Sequence, residues 1–304
     1  MRLVSKAGPG SGYRFPLNAL QHAVFWVFRS SYKPVMTRKP GTGHGQGRGQ
    51  GTEPAGEQAE LSQALPLAGA SNFRDLGGHR GADGARVVRG RVFRADALHR
   101  LGEADNPVLD PLGIEIVFDL RSERELENDG TGDFVAGRRH VHVPLVQISL
   151  SPFSPEIDWA NLKLQERYVE MLHEGGESMR RIFGWLASDE SGACVFHCTG
   201  GKDRTGVVAA VLLRVLGVSQ ADVIADYAVS EGNLRSVLES YRDEMVQMGM
   251  DDAAIAYLTS SPPERMERTL AELDRIWGSP EAYLHSIGID EDVVGRLRET
   301  LLED

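Results

Sequence analysis

The chain has 304 residues, of which 41% are hydrophobic and 25% are charged. This composition is typical of a soluble globular protein with one large domain or two small ones. Its two cysteines are too few for a disulfide framework, so a reducing compartment is expected. Residues 1–60 hold eight of the 33 Lys/Arg and three of the 44 Asp/Glu, so the remainder has a charge balance of −16. An acidic body argues against a nucleic-acid partner and against adhesion to anionic membranes.

The first part of the chain differs in composition from the rest. Residues 41–51 alternate glycine with mostly polar side chains and cannot bury a core. We therefore expect a disordered, glycine-rich extension over residues 1–58 and a folded domain over residues 61–302. The apolar run of residues 17–28 is too short to span a bilayer, and no small-residue cleavage site follows it. The sequence predicts a cytoplasmic protein without stable membrane insertion. Export without a standard signal peptide, and a true start at Met36, stay open as alternatives.

Two arginine-containing segments open the predicted domain. Residues 71–78 read Ser-Asn-Phe-Arg-Asp-Leu-Gly-Gly and predict a turn-rich entry segment, whereas residues 86–96 predict strands with exposed basic positions. A run of arginines is typical of a solvated strand face. The alternative is that Arg74 and Asp75 pack near a functional loop.

Residues 114–120 read Ile-Glu-Ile-Val-Phe-Asp-Leu and predict a buried strand. In open α/β sheets, functional side chains lie at the carboxyl ends of strands, where Asp119 is expected. Asp119 therefore either serves the site or caps the turn formed by residues 121–127.

Residues 139–145 predict a further strand, which Pro144 stops. Its alternating His140 and His142 indicate one strand face, because no third ligand accompanies them in a metal-binding pattern. Residues 146–163 predict an irregular loop of a length that suits a cover over a site. Helical patterns follow over residues 164–173 and 177–186.

The most informative stretch is residues 195–206, which read Val-Phe-His-Cys-Thr-Gly-Gly-Lys-Asp-Arg-Thr-Gly. They predict a short buried strand, a tight loop and the start of an apolar helix over residues 205–216. The amides of such a loop can converge on one point, where the helix N-terminus adds about half a positive charge. This segment therefore predicts an anion site.

Each side chain of the loop has an expected role at that site. The positive environment favours the thiolate form of Cys198, which is the nucleophilic form. The fork of Arg204 can donate two charge-assisted hydrogen bonds to a tetrahedral dianion. Thr205 can offer its hydroxyl to the thiolate, and His197 is expected to orient the loop. The substrate-binding candidates are His197, Thr199, Gly200, Gly201, Lys202 and Thr205.

The loop resembles the phosphate-binding loop of cysteine-dependent protein tyrosine phosphatases. It is most similar to the bacterial subgroup of tyrosine and dual-specificity enzymes whose loop carries Lys-Asp-Arg, the mycobacterial phosphatase B subgroup. Residues 71–78 match the opening of the same subgroup, and the resemblance covers residues 61–302. It implies an α/β, tyrosine phosphatase-like fold, with a central mixed sheet of about four to five strands flanked by helices and with a helical lid. Residues 146–163 lack the Trp-Pro-Asp order that supplies the general acid in the eukaryotic enzymes.

The helices after the loop leave one question open. Gly217 is expected to end the helix of residues 205–216, and Ser219 to cap the next one. The resemblance implies a two-helix lid over residues 234–258, whereas their methionines alone indicate core packing. Two closing helices are predicted between residues 277 and 302.

The reaction that the resemblance implies is hydrolysis of a phosphate monoester through a cysteinyl-phosphate, without a metal or another cofactor. The expected substrate is a phosphotyrosine protein or a phosphoinositide. Asp203 is the first candidate for the general acid, as in the resembling subgroup, and Asp119 is the second. Lys202 either binds a second phosphate or is a solvated loop charge. The alternative function is a phosphate-binding module without turnover, for a phosphoprotein or a phosphoinositide.

Overall fold

The computed structural model describes residues 62–146, 163–188 and 191–304. The predicted extension of residues 1–58 and nearly all of the predicted loop of residues 146–163 lie outside these ranges. In chain order, the strands and helices are β1 (Arg74–Asp75), β2 (Arg86–Val87), β3 (Val92–Ala95), α1 (Asn106–Leu109), β4 (Ile114–Asp119), α2 (Glu123–Asp129), β5 (Arg139–His142), α3 (Leu164–Glu174), α4 (Gly176–Leu186), β6 (Ala193–His197), α5 (Asp203–Val215), α6 (Gln220–Ser240), α7 (Arg242–Gln247), α8 (Asp252–Thr259), α9 (Pro263–Trp277), α10 (Pro280–Ser286), α11 (Glu291–Leu301) and β7 (Leu302–Glu303).

The central sheet has five strands in the order β1-β3-β6-β4-β5. Strand β1 is antiparallel to β3, and the other neighbours are parallel. This arrangement confirms the predicted mixed sheet within an α/β fold. Strands β2 and β7 form a separate antiparallel pair.

The carboxyl ends of the parallel strands lie level with one another. Ala95 pairs with His197, His197 pairs with Asp119, and Asp119 pairs with His142. The segments that follow β3, β6 and β4 therefore leave the sheet at one edge, where α/β proteins place their sites. The loop of Cys198 leaves from β6, the central strand.

Helix α5 is buried on almost every side, as predicted, and begins at Asp203, two residues earlier than expected. It packs in the main core with α3, α4 and the C-terminal helices α9, α10 and α11. A second apolar cluster, which includes Phe73, Phe93 and Val195, covers the other face of the sheet. Because both faces are covered, the central strands are apolar on both sides.

The prediction that the basic side chains of residues 86–96 are exposed is wrong for Arg94. Arg94 is 0% exposed, and so is Arg74 on the neighbouring strand β1. A buried guanidinium needs a partner, because an unpaired charge in the interior is costly. The partner of both is Asp226, which lies far along the chain on α6.

The segment of residues 234–258 comprises the end of α6, then α7 and α8. Met245 and Met250 are buried in a small cluster with Leu164, Ile255 and Leu258, whereas Met248 is exposed. Two of the three methionines thus serve as core, and the lid stays a prediction. None of the described helices combines the length and the apolarity needed to cross a membrane.

The expected helix boundaries around Gly217 and at the C-terminus are confirmed. Gly217 has φ +82°, and Ser219 Oγ accepts a hydrogen bond from the amide of Asp222 as the cap of α6. The two predicted closing helices are α10 and α11.

Candidate active site

The predicted anion loop connects β6 to α5 through residues 198–202. Gly201 has φ +61°, and a Cβ atom there would lie 2.4 Å from the carbonyl oxygen of Ala95. Only glycine fits both constraints. The tight turn predicted from the two glycines is therefore present, and it presses against the end of β3.

The carbonyl groups of the turn are bonded on its outer side. The side-chain amide of Asn72 donates to Gly200 O at 3.1 Å and to Gly201 O at 3.0 Å. Arg94 Nη2 donates to Gly201 O at 2.8 Å. These bonds fix the peptide planes, because a carbonyl that points outward turns its N–H inward.

The amide groups of the same segment are left without acceptors. In the described part of the chain, the backbone N–H groups of residues 199–205 donate no hydrogen bond. The first amides of a helix have no acceptor within the helix, and here the loop amides join them. A run of unpaired N–H groups at a helix N-terminus is an anion site.

Arg204 is buried beside these amides and is held by Glu125. Its Nη1 and Nη2 donate to the carboxylate of Glu125 at 2.5 and 2.8 Å, and Thr199 Oγ1 donates to Glu125 Oε1 at 2.6 Å. Arg204 Nε is buried and has no hydrogen-bond partner among the described residues. An orphaned donor on a fixed guanidinium fits a phosphate oxygen.

Glu125 was missed in the sequence, although it carried a signal. Ser122 and Glu125 form the capping box of α2, in the Ser-x-x-Glu pattern that directly follows β4. Burial would raise the pKa of Glu125, but the Arg204 guanidinium outweighs it and lowers the pKa to about 2. Glu125 is thus a fixed anion that orients Arg204 at neutral pH.

Arg74, Arg94 and Asp226 form a buried ion-pair framework behind the loop. Asp226 Oδ1 accepts from Arg74 Nε at 2.9 Å, and Asp226 Oδ2 accepts from Arg94 Nη1 at 2.5 Å. Burial and the neighbouring Arg74 lower the pKa of Arg94 to about 10, so Arg94 stays charged at neutral pH. Gly206 lets this framework approach α5, since a Cβ atom there would lie 3.2 Å from Tyr227 and 3.5 Å from Arg94.

Cys198 is 2% exposed and its thiol is free. Burial lowers the pKa of Lys202 and of Arg94, and a negative charge on Cys198 opposes that effect in both. The same charge helps to raise the pKa of Arg204. These three cations therefore lie near Cys198.

Cys194, the other cysteine, lies before the loop on β6, and Thr205 lies after it in the first turn of α5. Cys194 is wholly buried on β6, and burial raises the pKa of its thiol to about 12, so it is a protonated core residue. Thr205 Oγ1 is buried and makes no hydrogen bond to any described residue, Cys198 included. The contact between the Thr205 hydroxyl and the thiolate stays a prediction.

Asp119, the second candidate acid, is enclosed by Arg121, His140 and His197. Arg121 donates to it from Nε at 2.9 Å and from Nη2 at 2.6 Å. Burial would raise the pKa of Asp119, but His197, His140 and Arg121 together hold it well below its usual range. Asp119 also accepts from the amide of Arg121, but the N-cap of α2 is Ser122.

The histidines beside Asp119 serve protein contacts. His140 Nε2 lies 3.4 Å from Asp119, and His142 Nε2 lies 2.8 Å from Arg121 O. Within the described ranges, no cluster of three His, Cys, Asp or Glu side chains could hold a metal ion. His197 Nδ1 lies 3.3 Å from Cys198 O, and burial lowers the pKa of His197 to about 4, so its ring is neutral at pH 7.

Asp203, the first candidate acid, is the first residue of α5 and keeps 17% of its side chain exposed. Its Oδ1 accepts a hydrogen bond from Tyr168 at 2.5 Å. Lys202 is only 4% exposed, and its Nζ donates to Leu258 O at 2.5 Å and to Ser260 O at 3.0 Å. The interpretation of Lys202 as a solvated loop charge is therefore wrong.

The structure thus gathers the predicted loop residues and Asp119 at one edge of the sheet. It adds five residues that the sequence did not single out as site residues. These are Asn72, Arg94, Glu125, Tyr168 and Asp226.

Comparisons with known proteins agree with this geometry. The sequence profile of the tyrosine phosphatase family matches residues 65–303. A Cupriavidus necator protein, provisionally named a tyrosine-protein phosphatase, is 29% identical over 238 residues, which cover 76% of this chain and 86% of that protein. A tyrosine-protein phosphatase of Nostoc commune is 30% identical over 233 residues, or 71% of this chain and 77% of that protein.

A third relative is the triple specificity protein phosphatase PtpB of Mycobacterium tuberculosis. It is 28% identical over 294 residues, which cover 78% of this chain and 98% of that protein. The family match spans the central sheet, the loop and the helices on both sides of it. The chain therefore belongs to the tyrosine phosphatase family.

Proposed function

We propose that this protein hydrolyses phosphotyrosine in proteins through a cysteinyl-phosphate intermediate. One observation carries the proposal: the amides of residues 199–205 have no acceptor among the described residues, and the buried Nε of Arg204 has none either. These unpaired donors lie on the residues that directly follow Cys198 in the chain. A phosphoryl group with three equatorial oxygens is the anion that such a cradle accepts.

In the first step, the thiolate of Cys198 attacks phosphorus. The S–P bond forms as the bond between phosphorus and the tyrosine oxygen breaks. The departing phenoxide takes a proton from Asp203 and leaves as tyrosine. The loop amides and Arg204 stabilise the charge on the equatorial oxygens, and Glu125 keeps the guanidinium in place for that task.

In the second step, water attacks the phosphoryl group. The S–P bond breaks, Cys198 leaves as a thiolate, and the carboxylate of Asp203 takes a proton from the water. The Thr205 hydroxyl is assigned to the leaving sulfur. The product is inorganic phosphate, and the enzyme returns to its starting protonation state.

The environment of the two carboxylates supports Asp203 over Asp119 as the acid. Asp119 is buried against Arg121, and its pKa lies well below the usual range, so it holds no proton at neutral pH. Asp203 lies at the loop itself, is partly exposed, and accepts from a neutral phenol. An acid must carry its proton at the working pH and must reach the leaving group.

The proposed substrate range extends to phosphoserine, phosphothreonine and phosphoinositides. The support is the name of the mycobacterial relative, a triple specificity phosphatase. In the sequence, Lys202 is the argument for a second phosphate. Its ammonium is bonded to two carbonyl groups, so we assign it to bracing the loop.

The experiment compares Cys198→Ser with Cys194→Ser, its matched control four residues earlier on the same strand. Turnover of 4-nitrophenyl phosphate and of a phosphotyrosyl peptide should fall at least about 10⁴-fold in Cys198→Ser, because the nucleophile is lost. Cys194→Ser should keep its activity, and Cys198→Ser should still bind the peptide. A wild-type protein that binds the peptide without hydrolysing it would contradict the proposal and favour the phosphate-binding module.

A further inference from the structure

A chain of buried hydrogen bonds ends on Asp203. Tyr168, on α3, is fully buried and donates from its hydroxyl to Asp203 Oδ1 at 2.5 Å. The hydroxyl of Tyr227, on α6, lies 2.8 Å from that of Tyr168. Arg265 Nη1, on α9, lies 3.4 Å from the Tyr227 hydroxyl. Four side chains from four helices thus form one continuous row.

The direction of every bond in this row is fixed by its two ends. A guanidinium can only donate, so Tyr227 accepts from Arg265. Tyr168 has one proton, which it gives to the Asp203 carboxylate, so it accepts from Tyr227. Hydrogen bonds that point the same way polarise and strengthen one another.

The two phenols keep their protons under all ordinary conditions. Burial, followed by the charge of Asp203, raises the pKa of Tyr168 well above its usual range and that of Tyr227 to about 12. They can therefore orient Asp203 without adding a charge beside it. The far end of the row is also fixed, because Arg265 donates to Ser260 O at 2.8 Å and to Tyr257 O at 3.0 Å.

The two oxygens of Asp203 are not equivalent. Oδ1 accepts from Tyr168 and lies 3.6 Å from Lys202 Nζ. Oδ2 makes no hydrogen bond to any residue that the structure describes. A carboxyl group with one oxygen engaged is held in a single orientation and presents the other.

We propose that Tyr168 is a positioning residue that orients Asp203, with Tyr227 and Arg265 behind it, so that Oδ2 carries the proton to the leaving group. This inference rests on the proposed function, in which Asp203 is the general acid. Tyr168 acts through Asp203 and does not touch the substrate. The orientation of Asp203, and with it the transfer of the proton, therefore depends on how α3, α6 and α9 pack behind the loop.

The test uses a series of aryl phosphates that runs from phenyl phosphate to 2,4-dinitrophenyl phosphate. A basic phenoxide needs the proton and an acidic one does not, so a defect in proton transfer appears only with the poor leaving groups. The variants are Tyr168→Phe, which keeps the ring and its packing, and Asp203→Asn as the reference. Tyr283→Phe is the matched control, because Tyr283 is equally buried and donates to Leu172 O on the same helix α3.

For phenyl phosphate, kcat/KM of Asp203→Asn should fall by about 10²–10⁴-fold and that of Tyr168→Phe by about 10–100-fold. For the dinitrophenyl ester, both should stay within about threefold of wild type, as Tyr283→Phe should for every ester. The double variant should be no worse than Asp203→Asn, because the two residues act as one unit. If Tyr168→Phe does not fold, as judged by thermal unfolding, Tyr227→Phe takes its place and should show the same trend more weakly.

The two levels of the proposal fail in different ways. A uniform loss across the series in Asp203→Asn removes Asp203 as the acid, and the proposed mechanism fails with it. If Asp203→Asn follows leaving-group basicity while Tyr168→Phe and Tyr227→Phe lose all esters equally, or lose nothing, the acid stands and the positioning role is overturned.

Discussion

Two regions flank the loop, and each presents a carboxylate to it. The β4 side consists of Asp119 with Arg121, His140 and His197. There the carboxylate is wholly buried and paired with a guanidinium at 2.6 Å. The α5 side consists of Asp203 with Tyr168 and Lys202. There the carboxylate is 17% exposed and accepts from a neutral phenol.

In the proposed mechanism, one residue type serves two purposes at this site. A guanidinium partner keeps Asp119 ionised, so it acts as a brace at the end of β4. A phenol partner bonds one oxygen of Asp203 and leaves the other open, and the proposed mechanism uses that oxygen to exchange a proton with the substrate. The environments of the two carboxylates, and not their chemistry, separate the roles.

Among the changes that test this comparison, Asp119→Asn should have the largest effect, which is a loss of stability. The change leaves the buried guanidinium of Arg121 without its main partner, with Asp129 3.8 Å away as the remaining carboxylate. We expect the free energy of unfolding to fall by about 2–4 kcal/mol, somewhat less than for a buried cation left with no partner. Urea unfolding at pH 7 measures it.

The matched control is Asp274→Asn on the exposed side of α9, which should change the free energy of unfolding by less than about 0.5 kcal/mol. The folded fraction of Asp119→Asn should keep the leaving-group dependence of wild type. A stable Asp119→Asn protein that fails only with basic leaving groups would reverse the roles of the two sides.

The loop itself could be predicted because its parts are contiguous. The strand, the glycines, the nucleophile and the arginine all lie within residues 195–206, and each reflects a local constraint. Asp119 was found for a similar reason, since it ends an apolar run. The central mixed sheet of about four to five strands follows from the family resemblance.

The surroundings of the loop could not be predicted, because they are joined across long separations. Asn72 and Gly201 are 129 residues apart, Arg94 and Asp226 are 132 apart, and Glu125 and Arg204 are 79 apart. Arg94 therefore suggested a solvated strand face, although it is buried. Tyr168 lies in the apolar stripe of α3, where nothing in the pattern distinguishes a hydroxyl that reaches a carboxylate from ordinary core.

A smaller loss of stability should appear when the pH falls, and it arises from His197 on the β4 side. Burial lowers the pKa of His197 from 6.5 to about 4, so the folded protein keeps the ring neutral where the unfolded chain protonates it. Between pH 6.5 and 4 the unfolded state thus binds more protons, and stability must decrease as the pH decreases. The contribution of His197 should fall by about 2 kcal/mol between pH 6.5 and 4.5.

Urea unfolding of wild type and His197→Gln at these two pH values isolates the effect. The depressed carboxylate Glu125 contributes its stability above pH 4.5 and loses it only as the pH falls toward 2, outside this interval. The difference between wild type and variant should therefore shrink by about 2 kcal/mol at the lower pH. An unchanged difference would mean that His197 is already protonated in the folded protein, as a partner of Asp119.

The smallest effect is expected on the α5 side, for Lys202→Met. The variant keeps the aliphatic stem but leaves Leu258 O without its donor, whereas Ser260 O keeps its bond from Arg265, so the loop loses its tie to the end of α8. We expect kcat/KM to fall by about 3–10-fold for a phosphotyrosyl peptide and by the same factor for a short-chain phosphatidylinositol phosphate, since a misplaced loop affects every substrate alike. Lys163→Met, at a lysine whose side chain is 71% exposed, is the control and should leave both rates unchanged. A loss confined to the inositide would show instead that the ammonium leaves its two carbonyl groups to bind a second phosphate, and the α5 side would then select substrates as well as protonate them.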